Sequence, residues 1–113
     1  MFTESVMLMV GDELLSGRTQ DVNLRRFSGV LADRGIPVRE ARVVKDVPSQ
    51  ITLAVRELSC PGRVLLVTGG MGPTDDDLTV SSVADAFCIK LFDSKFRFFE
   101  KLITFFVFSI IMI

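Results

Sequence analysis

Two hydrophobic patterns alternate along residues 5–87. The mainly apolar runs at residues 5–10 and 64–67 contain no turn residues, as is typical of parallel strands buried on both faces. Residues 36–44 form a third predicted strand, because Pro37 disfavours helix entry and β-branched residues cluster at the segment's end. Between and after these runs the apolar residues recur at helical spacing, which predicts three helices.

The first two predicted helices have apolar faces and recognisable end signals. The first begins near residue 20, where Asp21 and Asn23 are short polar residues of the type that caps helices, and it ends at Gly35. The second is predicted with Asp46 as its N-cap and Pro48 in its first turn. The apolar faces comprise Leu24, Phe27, Val30 and Leu31 in the first helix and Ile51, Ala54, Val55 and Leu58 in the second.

The order of the elements predicts the fold class. Strand, helix, strand, helix, strand, loop and helix, with short connections, imply right-handed crossovers and a mainly parallel sheet covered on both faces. The predicted fold is therefore α/β, a three-layer α/β/α sandwich that is incomplete at its C-terminus. Residues 1–92 are predicted to form this domain, and residues 93–113 to form an atypical hydrophobic segment.

Acidic residues follow each of the three predicted strands. Asp12 and Glu13 follow the first, Asp46 the second and residues 75–77, all aspartate, the third. Because the carboxyl ends of parallel strands share one edge of the sheet, these carboxylates are expected to surround one pocket. The alternative for each aspartate is a helix cap or a solvated first-turn charge, which needs no function.

A glycine-rich loop separates the third strand from the last predicted helix, which begins near residues 77–79. Gly69, Gly70 and Gly72 allow positive φ and close approach to the main chain, so their N–H groups are suited to holding a phosphate. Three aspartates in the same turn would repel a bare phosphate, which points to a divalent cation or to an aspartate with a chemical role. Asp77, at the helix start, is the favoured candidate.

The C-terminal segment departs from the pattern. Residues 88–92 suggest a short strand and residues 94–100 the start of a helix, but residues 102–113 carry no charge. Twelve residues are too few to cross a bilayer, which takes about twenty, so a membrane location is not expected. Our interpretation is a truncated or frame-shifted product whose end packs as a buried helix or strand, or leaves an apolar surface.

Composition excludes several classes of function. A chain of 113 residues holds one domain at most, and its net charge of −1 gives no electrostatic footprint for nucleic acid. The chain has no histidine, so Ser-His and Cys-His nucleophile pairs and histidine metal sites are excluded. Cys60 and Cys88 are not a close-spaced pair, and we interpret them as reduced thiols in a cytoplasmic protein.

Three segments resemble one known family. Thr68-Gly-Gly-Met-Gly-Pro-Thr-Asp-Asp-Asp-Leu-Thr79 resembles the signature of the MoaB/Mog-type molybdopterin-binding domain, which also occurs at the N-terminus of CinA-like proteins. Gly11-Asp-Glu-Leu-Leu-Ser-Gly-Arg-Thr-Gln-Asp-Val-Asn23 is similar to the family's Gly-Asp-Glu segment and its Asp-x-Asn pair, and residues 43–46 are a weaker match. The three occur in the family's order, over roughly residues 5 to 90.

The resemblance implies a site and a reaction. The pocket would bind molybdopterin or a nucleotide, with Mg²⁺ as the probable cofactor, for nucleotidyl transfer or metal insertion in molybdenum cofactor biosynthesis. Asp46 and Asp77 match the catalytic aspartates, and Asp76 and Asp77 the expected metal ligands. The expected ligand contacts are Gly69, Gly70, Gly72, Thr74, Asp12, Glu13 and Ser16.

Two alternatives to this function stay open. The residue sequences of the two glycine-containing motifs look closer to those of the CinA-like branch. That branch is associated with hydrolysis of a nucleotide pyrophosphate such as ADP-ribose. The other is a fragment that binds a pterin or nucleotide without turning it over. The resemblance also suggests a homo-oligomer, either a trimer or a dimer.

Overall fold

The computed structural model describes residues 2–69, residue Ser82 and residues 109–112. Four strands and three helices are formed in this part of the chain. They are β1 (Glu4–Val10), α1 (Asp12–Leu15), α2 (Asn23–Asp33), β2 (Val38–Val44), α3 (Pro48–Leu58), β3 (Arg63–Thr68) and β4 (Ser109–Met112).

The strands form one parallel sheet. Among the described residues the strand order is β2-β1-β3-β4, and each neighbouring pair is parallel. At the carboxyl edge Val10 is paired with Val44 of β2, and Met9 with Thr68 of β3. The three predicted strands are confirmed, with β1 and β3 as neighbours.

Side chains of β1 alternate between two apolar layers, because successive residues of a strand point to opposite faces. Val6, Leu8 and Val10 face the layer of α3, whose predicted apolar residues are all buried. Met7 and Met9 face the layer that contains residues of α1 and α2. Helices therefore cover both faces of the sheet, and the predicted three-layer sandwich is confirmed.

One residue of the predicted face of α2 is exposed. Leu31 is 7% exposed and belongs to the core, and Leu24 and Phe27 pack against it, but Val30 is 49% exposed. Helical spacing places Val30 at the margin of an apolar stripe centred on the other three, so the sheet does not reach it. The prediction that Val30 belongs to the core face is wrong.

Hydrogen bonds close both ends of α2, which ends at Gly35 as predicted but begins at Asn23 and not near residue 20. The N-cap residue is Val22, which makes no side-chain cap bond, and the carboxylate of Asp21, one residue before it, accepts a hydrogen bond from the backbone N–H of Leu24 at 3.0 Å. At the other end Gly35 has a φ of +78° and donates to the carbonyl of Ala32, while Ile36 donates to Leu31. These two bonds form a Schellman motif, which explains the glycine.

Two local predictions near the carboxyl edge differ from the structure. No helix was predicted between the first strand and residue 20, yet residues Asp12–Leu15 form the short helix α1. Asp46 was expected to cap α3, but the N-cap is Val47, and no side chain caps that end. Pro48 begins α3 directly after Val47, so Asp46 lies one residue too early in the turn to serve as the cap.

The C-terminal part of the chain is described at two places. Ser82, within the predicted third helix, has helical backbone and is buried, and its carbonyl accepts a hydrogen bond from the Thr52 hydroxyl at 3.1 Å. Residues Ser109–Met112 pair with β3 as β4, so the hydrophobic end contributes a strand. The predictions for residues 88–92 and 94–100 lie outside the described residues. No helix within the described part is both long and apolar enough to span a bilayer.

An ion pair joins the opposite, amino edge of the sheet. Arg63 of β3 is bound to Glu4 of β1 at 3.1 Å and also donates to the carbonyl of Leu58 at 2.7 Å, and Arg39 of β2 lies 3.4 Å from Glu4. The hydrogen bond from Arg63 lowers the pKa of Glu4 below its usual value of 4.5; partial desolvation opposes this effect, and the charge of Arg39 reinforces it.

This lowered pKa predicts a pH-dependent contribution to stability. Because the folded-state pKa of Glu4 lies below the unfolded value, the stabilisation is fully present above 4.5 and is lost as the pH falls through the folded-state pKa. We expect the difference in unfolding free energy between wild type and Glu4→Gln to be largest at neutral pH and to shrink below 4.5. Urea titrations at a series of pH values measure it. A difference that grew on acidification would contradict the assignment.

Candidate ligand-binding site

The candidate site lies at the carboxyl edge of the sheet, next to the point where the strand order reverses direction. The connection from β1 leads outward to β2 at one edge, whereas β3 lies on the other side of β1 and is followed by β4 beyond it. β1 and β3 are therefore neighbours whose onward connections run to opposite sides. Open parallel sheets bind ligands in the crevice outside the carboxyl ends of such strands.

Asp12 and Asp46 are in contact at this edge. The Oδ1 atom of Asp12 accepts a hydrogen bond from the backbone N–H of Asp46 at 3.0 Å, although the two residues are 34 positions apart. Asp46 is also the middle residue of a three-residue turn, in which Val47 donates to the carbonyl of Lys45 at 2.8 Å. The predicted convergence of the first two acidic strand ends is confirmed.

Gly69 packs directly against the end of β1. It has a φ of +82°, and a Cβ at this position would overlap the carbonyl oxygen of Val10 and lie 3.1 Å from the carbonyl carbon. The absence of a side chain lets β3 turn across β1, which is a packing reason for the glycine. The predicted role of its N–H group as a hydrogen-bond donor to a phosphate stays a prediction.

The short helix α1 forms the wall next to β1. The carboxylate of Glu13 folds back over the buried Gly11. A Cβ added to Gly11 would lie only 2.5 Å from Oε1 of Glu13. Ser16, at the end of α1, is exposed; its hydroxyl accepts a hydrogen bond from Nε of Arg18 at 3.1 Å and donates to the carbonyl of Glu13 at 3.4 Å. The structure therefore brings Asp12, Glu13, Asp46 and Gly69 to one edge, with Ser16 at the end of α1.

The rest of the predicted site is not described. Gly70, Gly72, Thr74, Asp76 and Asp77, together with Asp75, lie outside the described residues. Among residues 2–69, 82 and 109–112, no three histidine, cysteine, aspartate or glutamate side chains gather as a metal site. The predicted magnesium ligands, Asp76 and Asp77, are among the residues that the structure does not describe, and their role stays a prediction.

Sequence reasoning missed the reason why Asp12 follows β1. It placed Asp12 among the carboxylates that surround one pocket, whereas the structure bonds its carboxylate to the turn after β2. The signal available in the sequence was that Asp12 follows the end of β1 by two residues and that Asp46, in a turn, follows the end of β2 by two residues. Only the register of β1 against β2 shows that these positions face each other.

The fold defines an α/β domain whose parallel sheet has a topological switch point at this edge, the place where such sheets bind ligands. The chain belongs to the family of probable molybdopterin binding domains, whose family model matches residues 6–108. The resemblance to MoaB/Mog-type domains is thereby confirmed.

Relatives and solved structures agree with this assignment. A CinA-like protein of Syntrophotalea carbinolica is 42% identical over 81 residues, covering 72% of this chain and 20% of the relative. The crystal structure of the protein CinA from Thermoplasma acidophilum has a TM-score of 0.68 at 32% identity, covering 77% of this chain and 52% of that one. Tungsten cofactor synthesizing protein MoaB from Pyrococcus furiosus has the same fold, with a TM-score of 0.62 at 21% identity over 74% of this chain and 52% of that one.

The chain is much shorter than these relatives. It spans about a fifth of the length of the Syntrophotalea protein and about half of each of the two solved chains.

Proposed function

We propose that this chain binds the phosphate-bearing end of molybdopterin or of a nucleotide at the carboxyl edge of its sheet, and acts in molybdenum cofactor biosynthesis. The observation that carries the proposal is the bond between Asp12 and Asp46, at the same edge where Gly69 packs against Val10, in a sheet whose sequence belongs to the molybdopterin-binding family. Backbone amides of the glycine loop would hold the phosphate, and the carboxylate of Asp46 would flank the reacting phosphoryl group.

Asp46 and Asp77 are the proposed catalytic residues. Asp46 occupies a turn that is fixed from both sides, by the bond to Asp12 and by the bond between Val47 and Lys45. A carboxylate on a fixed backbone can orient a nucleophile or accept its proton with little reorganisation. Asp76 and Asp77 are the proposed ligands of Mg²⁺, which when bound would supply charge stabilisation for the phosphoanhydride reaction.

A second function has its own support. The Syntrophotalea relative is named CinA-like, which favours the branch associated with cleavage of a nucleotide pyrophosphate such as ADP-ribose. Both reactions act on a phosphoanhydride, so the same edge would serve either. The cytoplasmic location, the trimeric or dimeric state and binding without turnover stay predictions.

One incubation separates the alternatives. The protein is mixed with Mg²⁺ and either ATP plus molybdopterin or ADP-ribose, and adenylylated pterin and released AMP are quantified. We expect one product to form and to disappear when EDTA removes the metal. The control is Asp33→Asn, which neutralises an exposed carboxylate at the last residue of α2 and should leave turnover unchanged. Binding without product supports the non-catalytic alternative, and absence of binding to all the ligands rejects the proposal.

A further inference from the structure

The bond between Asp12 and Asp46 lies where the ladder of backbone hydrogen bonds between β1 and β2 ends. In a parallel pair a residue that donates to one residue of its neighbour accepts from the residue two positions further on. Gly11 donates its N–H to the carbonyl of Val44 at 3.1 Å, so the regular acceptor for the N–H of Asp46 would be the carbonyl of Gly11.

The carbonyl of Gly11 is used elsewhere. It accepts the N–H of Leu14 at 3.3 Å, because the chain turns into α1 directly after β1. Oδ1 of Asp12 takes the N–H of Asp46 at 3.0 Å, so a side-chain oxygen replaces a main-chain oxygen at the point where the ladder ends.

We infer that Asp12 is a positioning residue, which holds the turn that carries Asp46, and is not a direct contact of the ligand. The Oδ1 oxygen of Asp12 is hydrogen-bonded to the turn after β2. Asp12 therefore contributes to the site by fixing the backbone of Asp46. The role depends on an oxygen acceptor at this position and not on a negative charge. The effect on turnover rests on the proposed function, whereas the effect on the turn does not.

Two substitutions distinguish an acceptor from a charge. Asp12→Asn keeps a side-chain oxygen that can accept the N–H of Asp46 but removes the charge, and Asp12→Ala removes both. The first readout needs no ligand: amide hydrogen exchange of Asp46, measured by NMR on ¹⁵N-labelled protein. We expect exchange to be about tenfold faster in Asp12→Ala and near the wild-type rate in Asp12→Asn. Asp33→Asn, at the far end of α2, is the control and should not alter it.

The second readout is turnover, with ADP-ribose and with molybdopterin plus ATP as the substrates tested. We expect Asp12→Ala to lower kcat about tenfold with little change in KM, because Asp46 is displaced while ligand contacts persist. Asp12→Asn should retain kcat within about threefold. If Asp12 instead bound the ligand through its negative charge, Asp12→Asn would lose activity as Asp12→Ala does.

The outcomes separate the inference from the proposed function. If Asp12→Asn raises KM as much as Asp12→Ala while the Asp46 amide stays protected, Asp12 contacts the ligand by its charge and the inference is wrong. Unchanged exchange in Asp12→Ala would also overturn it. A wild-type protein that turns over neither substrate would reject the proposed catalysis, and amide exchange would then decide the role of Asp12 alone.

Discussion

Replacing Gly69 by alanine is expected to destabilise the protein by about 3 kcal/mol. Two costs combine at this position. The φ of +82° is a conformation that a residue with a Cβ adopts only with strain, and the new Cβ would overlap the carbonyl oxygen of Val10. That oxygen belongs to the main chain of the central strand β1, so it cannot move aside without disturbing the sheet. Urea unfolding of wild type and variant measures the difference.

Gly35→Ala is the matched control for this prediction. Gly35 has nearly the same φ, +78°, but no atom lies within 4 Å of the position that its Cβ would occupy. We therefore expect it to cost only about 1 kcal/mol, which is the conformational penalty alone. Equal losses in the two variants would show that the contact with Val10 contributes nothing and would remove the packing reason for Gly69.

Replacing Asp46 by asparagine is expected to lower kcat about 100-fold or more, the range for loss of a general acid or base. The change keeps the size of the side chain. It also leaves the bond to Asp12 intact, because that bond uses the backbone N–H of Asp46. The turn should therefore keep its shape, and the loss should report on the carboxylate itself. Steady-state kinetics with the substrate identified by the product assay provide the measurement.

The same chemical change at Asp33 controls for the loss of one negative charge from the protein. Asp33 ends α2 and is exposed, so Asp33→Asn should keep wild-type kcat. Thermal unfolding of Asp46→Asn checks that the fold is retained. Full activity in a folded Asp46→Asn variant would exclude a catalytic role for this aspartate and leave Asp77 as the remaining candidate.

Predictions from hydrophobic spacing succeeded where burial follows directly from local pattern. The buried face of α3 and the strands β1 and β3 were all predicted, because a parallel strand covered on both faces has to be apolar throughout. The end of α2 at Gly35 was predicted for a similar reason, since a residue with positive φ after a helix is usually glycine. These features depend on residues that are close in the sequence.

Features that depend on distant residues were predicted less well. Val30 is apolar like a core residue, yet its place at the margin of the apolar stripe of α2 leaves it exposed. Asp46 is of a residue type that often caps helices, yet the register of β1 against β2 directs its N–H to Asp12. Helical spacing and residue type do not encode which strand lies beside which, or at what offset.

The sequence by itself determined the α/β class, the order of the first three strands with α2 and α3 between them, and the family, because periodicity and the two glycine-containing motifs are local. Only the tertiary structure decided that Asp12 serves the turn of Asp46 and that Gly69 rests on Val10. Both contacts join segments more than 30 residues apart, and a hydrogen bond or an overlap of atoms is decided by a displacement of about 1 Å.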